Sequence, residues 1–203
     1  MSRNKKRGQK NKNFLKNQNR ILLIVENSEE IFFNRYFKEI LAKDNILIKC
    51  ERSGRAGKCD ITNGSRMSKI INDALDVEEY KAVFLMIDLK TKCHQSEQTH
   101  TCLLNLIQEY RPRYKIEKKE KFYLFVVCNE IESWFLTIDE KRDNSNNVSE
   151  DHKSKLKKLL DVKNEPEIVD KMIEGLSSGK YQLNFNKNKS IQHFIHKLKE
   201  FST

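Results

Sequence analysis

The sequence has no hydrophobic run long enough to cross a membrane, which excludes a protein built from membrane-spanning helices. A membrane helix needs about 20 apolar residues in a row, and the longest apolar run here ends at Cys128 after only a few residues. The basic N-terminus also lacks the apolar segment of a secretory signal. We therefore expect a soluble, cytoplasmic protein that has no membrane partner.

The five cysteines form no CxxC pair, and their spacing matches no common zinc site. An odd number of scattered cysteines favours reduced thiols. Cys50 and Cys128 belong to apolar runs, so we expect both to be buried as small apolar side chains.

Three motifs of nucleotide-binding and hydrolytic enzymes are also missing. The chain contains neither GxGxxG nor GxSxG. The basic loop Gly54–Lys58 is not a Walker loop, because Cys59 follows its lysine where Ser or Thr is required. Dinucleotide binding, P-loop chemistry and a serine-hydrolase elbow therefore have no support in the sequence.

Positive charge is in excess over the 203 residues. The chain has 39 Lys and Arg against 29 Asp and Glu, a net charge of +10. A basic balance favours an anionic partner, most commonly nucleic acid, although solubility alone is an alternative. Residues 1–20 contain no acid and form either a flexible basic arm that contacts phosphates or a solvated tail.

Three apolar runs each end at acidic residues. Residues 21–25 run into Glu26, residues 82–87 into Asp88, and residues 122–128 into Asn129 with Glu130 and Glu132 beyond it. Such runs are typical of strands buried on both faces. Because ligands of open α/β sheets lie outside the carboxyl ends of the strands, we expect these acids to converge there. Carboxylates so gathered repel one another unless a proton or a cation such as Mg²⁺ intervenes.

The remaining pattern alternates helices with strands. A further strand is predicted over 46–50, and helices over 28–43, 62–76, 97–111 and from Ile131 to Ile138. This order predicts an α/β fold with a mostly parallel, four-stranded sheet flanked by helices. Residues 139–149 are polar and are expected to form a loop or hinge, before a helical, basic C-terminal region over 150–203.

Each candidate site residue also has a structural interpretation. Glu26 either favours a helix N-terminus or serves as a general base or metal ligand, and Asp88 is either a polar strand end or part of the same site. Glu130 and Glu132 would point to different sides of a helix, so one faces the site while the other caps the helix. Trp134 is expected in the core.

The basic and histidine side chains also have both a functional and a structural interpretation. Arg55 and Lys58 lie on the loop after the second strand and either contact phosphates or are ordinary exposed side chains. His193 and His196 are three residues apart on a basic helix and are expected on the surface, because a metal site needs further ligands.

The order of these elements resembles the Toprim fold, and within it the RloB-like and OLD-type-related proteins associated with phage defence. The resemblance spans about residues 21–200, with the Toprim-like domain over 21–138. The resemblance is based on four segments and on the tail, which contains Asn188-Lys189-Ser190 and His193-Phe194. The segments are residues 21–26, 57–60, 83–88 and 130–135.

The resemblance implies roles for individual residues. Glu26 matches the glutamate that acts as general acid/base or metal ligand, Asp88 matches the first acid of a DxD motif, and Glu132 matches the acid before the tryptophan. Lys90 stands where the motif has its second acid, and a lysine does not coordinate Mg²⁺. A site for one metal, held by Glu26, Asp88 and Glu130 or Glu132, is the form the resemblance allows.

The implied function is a nuclease dependent on Mg²⁺ or Mn²⁺ that cleaves RNA or DNA as an effector of anti-phage defence. The resemblance also implies an SMC/ABC-type ATPase partner encoded nearby. A homodimer is a further option that the sequence does not decide. Arg55, Lys58, Lys90 and Lys92 would hold the nucleic-acid backbone. The alternatives are a catalytically degraded Toprim module that binds nucleic acid or a partner protein, and a decoy of a defence nuclease.

Overall fold

The computed structural model describes residues 20–26, 29–54, 58–89, 103–147 and 149–201. Four strands form one sheet in which every neighbouring pair is parallel. The strands are β1 (Arg20–Val25), β2 (Leu47–Arg52), β3 (Ala82–Asp88) and β4 (Phe122–Val127). The predicted α/β class and parallel sheet are therefore confirmed.

The sheet has the strand order β2-β1-β3-β4. The chain runs from β1 to β2 on one side and then returns to place β3 on the other side. In open parallel sheets a crevice forms at such a reversal, at the carboxyl ends of the strands. Here the reversal lies between β1 and β3, which pair from Ile21↔Ala82 to Ile24↔Leu85.

Helices connect the strands and cover both faces of the sheet. Pro112 lies in a 3₁₀ turn directly after the helix that ends at Tyr110, as predicted for a residue that cannot continue an α-helix. The α-helices are α1 (Glu29–Phe32), α2 (Lys38–Lys43), α3 (Lys58–Thr62), α4 (Gly64–Asp76), α5 (Leu103–Tyr110), α6 (Glu132–Phe135), α7 (His152–Leu160), α8 (Glu165–Ser177) and α9 (Lys189–Lys199).

A π-helical segment, Phe33–Phe37, joins α1 to α2. The sequence pattern predicts a continuous α-helix there, so the segment is a local departure from the expected hydrogen-bonding pattern. Phe32, Phe33 and Phe37 are all fully buried in this stretch. The wider turn places three aromatic rings against the sheet within a short length of chain.

The central strands β1 and β3 are buried on both faces, as their unbroken apolar runs predict. Along β1, Leu23 belongs to one apolar cluster and Leu22 to the opposite one, because successive side chains of a strand alternate. Along β3, Phe84 and Leu85 are divided in the same way. Helices α4 and α5 cover one face, and α1 with α7 to α9 covers the other.

The C-terminal region contributes directly to the main core. Leu156 of α7, Met172 of α8 and Phe194 of α9 lie in the same apolar cluster as β1 and β3. The polar stretch before α7 is irregular, as predicted, and is tied to the segment before α9. There the backbone N–H of Ser145 donates to the carbonyl of Lys187 at 2.8 Å.

The described cysteines differ in their surroundings. Cys50 and Cys128 are free and buried, as predicted. Cys59, in contrast, is disulfide-bonded, so the expectation of reduced thiols is wrong for this residue. Across the described parts of the chain, no helix combines the length and apolar character needed to cross a membrane.

Candidate active site at the carboxyl edge of the sheet

Glu26 and Asp88 meet at the point where the strand order reverses. Glu26 follows β1 directly and Asp88 is the last residue of β3, so adjacent parallel strands deliver both acids to one edge. Oε1 of Glu26 accepts a hydrogen bond from the backbone N–H of Asp88 at 3.3 Å. Glu26 is only 3% exposed. The carboxylate of Glu26 thus contacts the backbone of Asp88, although 62 residues separate the two acids.

The electrostatics of Asp88 reflect the crowding of acids at this edge. Burial, followed by the negative charge of Glu26, raises the pKa of Asp88 well above its usual value. Glu29, Glu132 and Glu130 raise it further, in that order. The predicted convergence of acids is therefore present, and it disfavours the ionised form of Asp88 unless positive charge is supplied.

Glu132 opens helix α6 on the same edge, and its side chain is only 13% exposed. Burial raises the pKa of Glu132 to about 7, even though the ammonium group of Lys153 opposes this rise. A carboxyl group with a pKa near neutrality exchanges protons readily at physiological pH. Glu132 is accordingly suited to general acid–base chemistry.

Lys153, in the first turn of α7, lies among three glutamates. Its Nζ is 2.8 Å from Oε2 of Glu130, 3.5 Å from Oε2 of Glu165 and 3.9 Å from Oε1 of Glu132. The expectation that Glu130 and Glu132 face different sides is wrong, because Glu130 precedes the helix and both acids approach Lys153. Sequence reasoning missed Lys153, since no local pattern links it to acids more than 20 residues away.

A second polar network holds the start of α7 beside this site. Arg142 makes two hydrogen bonds to the carboxylate of Glu150, at 2.7 and 2.9 Å. The Arg142 guanidinium is the main reason why the pKa of Glu150 is lowered to about 2. Nδ2 of Asn129 donates to the carbonyl of Glu150 at 2.9 Å and also contacts Nδ1 of the buried His152. These contacts join the end of β4 to α7 and so fix the position of Lys153.

Asn129 adopts a left-handed backbone conformation, with φ of 70°. Asparagine tolerates this conformation better than most residues. The sharp turn lets the chain leave β4 and present Glu130 at the edge of the sheet. The pattern of the sequence gave no indication that Asn129, His152, Glu150 and Arg142 would form one network, because their contacts depend on tertiary packing.

Trp134 and Ser133 tie helix α6 to α9. Trp134 is 1% exposed, as predicted for a core residue, and its Nε1 donates to Oγ of Ser190 at 2.8 Å. Nδ2 of Asn188 donates to Oγ of Ser133 at 3.2 Å. The tail residues Asn188 and Ser190 therefore hold in place the short helix that carries Glu132.

The remaining predicted site residues are placed as follows. Arg55, Lys90 and Lys92 lie outside the described residues. Lys58 begins α3, but its side chain is also outside the description. His193 and His196 are both exposed, as expected for surface residues.

Within the described ranges, no set of three or more His, Cys, Asp and Glu side chains is arranged to hold a metal ion. The donor set at the strand ends is therefore the contacting pair Glu26 and Asp88, with Glu132 nearby. Comparison with family models, with curated proteins and with solved structures found no match for this chain.

Proposed function

We propose that this protein is a nuclease dependent on a divalent cation, with its active site at the carboxyl ends of β1 and β3. The observation that carries the proposal is the contact between Glu26 and Asp88 where the strand order reverses. Ligands of open parallel sheets bind at this position. Two acids this close also repel each other when both are ionised, and bound positive charge would relieve that repulsion.

Mg²⁺ or Mn²⁺ fits the chemistry of this donor pair. Hard divalent cations take oxygen ligands, and Mg²⁺ commonly uses one or two carboxylates while keeping several waters. A preformed set of three protein ligands is therefore not required. When bound, the ion supplies Lewis-acid chemistry, namely polarisation of the scissile phosphate and stabilisation of the leaving oxygen.

The protein residues then have separate tasks. Glu26 and Asp88 would hold the ion, and Glu132, whose pKa is raised to about 7, would exchange a proton with the attacking or leaving oxygen. Glu130 is ion-paired with Lys153 at 2.8 Å, which places it at the margin of the site and not among the principal ligands. The net charge of +10 supports a nucleic acid as the substrate.

The resemblance in the sequence extends this proposal. A Toprim-like protein of the RloB-like group would act on RNA or DNA as an effector in phage defence, together with an SMC/ABC-type ATPase. The parallel sheet with acids after β1 and β3 is compatible with that assignment. A test is co-expression with the ATPase encoded nearby, in which a stable complex is expected.

A second candidate function is binding without catalysis, and the position of Lys153 favours it. Its ammonium group already neutralises part of the acidic edge by contacting Glu130 and Glu165. Lys90 also replaces the second acid of the expected DxD motif. A degraded Toprim module of this kind would bind nucleic acid or a partner protein, or act as a decoy, without a metal ion.

The deciding experiment compares cleavage by the wild type with that by Glu26→Gln and Asp88→Asn, in Mg²⁺, in Mn²⁺ and in EDTA. These substitutions keep the shape of the side chains but remove their charge. We expect both variants to cleave no faster than the wild type in EDTA. The matched control is Asp170→Asn on α8, whose exposed side chain pairs, among the described residues, with Arg35 at 3.7 Å. This control should cleave normally.

Calorimetry separates the two candidates. Binding of Mn²⁺ by the wild type and its loss in Asp88→Asn support the nuclease. If the wild type binds no metal and cleaves nothing, yet binds nucleic acid in a salt-sensitive manner, the nuclease proposal is wrong and the binding module is favoured.

A further inference from the structure

Helix α7 and the residues after it form a strongly basic surface. Within residues 153–163 the only acid is Asp161. The lysines of this segment are Lys153, Lys155, Lys157, Lys158 and Lys163. The apolar side of α7, which includes Leu156 and Leu160, is buried against the core, so the lysines are distributed over its remaining surface.

Two of these lysines have structural partners and three do not. Lys153 is paired with Glu130, and Lys155 with Glu150. Lys157, Lys158 and Lys163 make no ion pair with any residue that the structure describes. None of the three ammonium groups forms an ion pair with a described acid, although the charge of Lys163 interacts with that of Glu167, so they remain able to bind an external anion.

Lysines on two other helices form ion pairs with acids three residues away. On α8, Lys171 pairs with Glu174 three residues later, at 2.8 Å. On α9, Lys197 likewise pairs with Glu200 at 2.5 Å. Acids three or four residues from a lysine on a helix can form ion pairs with it and offset its charge. Lys157 and Lys158 of α7, together with Lys163 just beyond the helix, therefore form a short run of lysines without ion pairs among the described residues, in contrast to Lys171 and Lys197.

The basic surface begins beside the candidate active site. Lys153 touches the acids of the sheet edge, and Lys157 follows it one helical turn later, about 6 Å along the axis. Phosphates approaching the acidic edge are repelled by Glu26 and its neighbours, so a cationic surface beside the edge is needed to retain them. The lysines of α7 supply such a surface.

We propose that Lys157, Lys158 and Lys163 bind the phosphate backbone of the nucleic acid that enters the Glu26–Asp88 site. This inference rests on the proposed function for its substrate class. It adds a binding surface in the C-terminal region, apart from the loops after β2 and β3 that sequence reasoning favoured. The contacts are with backbone phosphates, so binding is expected to be largely independent of base sequence.

The test uses a triple variant, Lys157→Gln with Lys158→Gln and Lys163→Gln, in the full chain. The probes are a fluorescein-labelled single-stranded RNA and a duplex DNA of matching sequence. Affinity is measured in EDTA by fluorescence anisotropy, between about 50 and 200 mM salt. Because these lysines have no ionic partner among the described residues, the variant is expected to fold normally, and circular dichroism checks this.

The matched control removes the same charge from another part of the molecule. Lys69 on α4, together with Lys115 and Lys119 before β4, is exposed and makes no ion pair with the described residues. The control variant changes these three lysines to Gln. Both triple variants lower the net charge by three, so any difference between them reports location and not total charge.

Each phosphate contact adds about 0.7 to the salt slope for a single strand, so loss of three contacts should reduce the slope by about 2. We also expect at least roughly tenfold weaker binding for the α7 variant and much smaller effects for the control. Equal losses in the two variants would mean that bulk charge alone is responsible, and would overturn the inference. Preferential binding to phosphatidylserine vesicles over both nucleic acids would overturn it as well.

The measurements distinguish this inference from the proposed nuclease activity. Selective loss of binding in the α7 variant, with no cleavage by the wild type, would support the binding surface and refute the nuclease. Metal-dependent cleavage that depends on Asp88, with unchanged binding by the α7 variant, would support the nuclease and refute the binding surface.

Discussion

Replacing Glu132 by Gln should stabilise the protein at neutral and alkaline pH. In the folded protein, burial raises the pKa of Glu132 from its usual 4.5 to about 7. The unfolded chain therefore loses this proton at a lower pH than the folded one. Glutamine has no charge to desolvate, so the variant is free of the cost that ionised Glu132 imposes on the folded state.

The size of the effect follows from the two pKa values. Each pH unit between them is worth about 1.4 kcal/mol, so ionised Glu132 costs about 3 kcal/mol once the pH exceeds both values. Because the pKa of this acid is higher in the folded state, its ionisation destabilises the folded protein as the pH rises. The contribution of Glu132 to stability is most favourable below about pH 4.5 and becomes less favourable as the pH rises towards 7.

The assay is urea denaturation of the wild type and Glu132→Gln at about pH 4 and about pH 8. We expect the two proteins to differ little at the lower pH, and the variant to be more stable by up to about 3 kcal/mol at the higher pH. The control is Glu165→Gln, which also removes an acid 3.5 Å from Lys153 but at an exposed position. A variant that is destabilised at both pH values would refute the argument that burial dominates at Glu132.

Two further substitutions test the packing around the site. Arg142→Met should cost roughly 3 kcal/mol at neutral pH by leaving Glu150 buried without its main partner. This loss should shrink in urea titrations as the pH falls towards the lowered pKa of about 2, and a loss independent of pH would contradict this account. Ser190→Ala removes the acceptor of the Trp134 indole and should cost about 2 kcal/mol. Ser178→Ala, at an exposed position, is its control and should have almost no effect on the urea midpoint.

The strands and the first acid pair were predictable because their signals are local. An apolar run of β-branched and aromatic residues marks a buried strand wherever it occurs, and the residue that follows it must lie at the sheet edge. That Glu26 and Asp88 lie at one edge of the sheet could therefore be predicted, whereas their contact depends on the pairing of β1 with β3, which only the tertiary structure shows. The roles given to Arg55, Lys90 and Lys92 remain predictions, because these residues lie outside the described structure.

The contacts of Lys153 were not predictable in this way. Its helix is amphipathic, and on pattern alone each of its lysines is an ordinary solvent-exposed residue. Only the packing of α7 against the end of β4 brings the ammonium group of Lys153 within 2.8 Å of Glu130. The contact of the buried His152 with Asn129 has the same origin, since Asn129 lies 23 residues earlier in the chain, just beyond the end of β4.

The sequence by itself determined the α/β class, the parallel strands and the placement of Glu26 and Asp88 at one edge of the sheet, because these follow from apolar periodicity and from the common direction of the strands. The tertiary structure decided which cations approach those acids and how strongly Glu132 is desolvated. Charge interactions and burial depend on distances of a few ångströms between segments that are remote in sequence, and such distances are set only when the helices pack on the sheet.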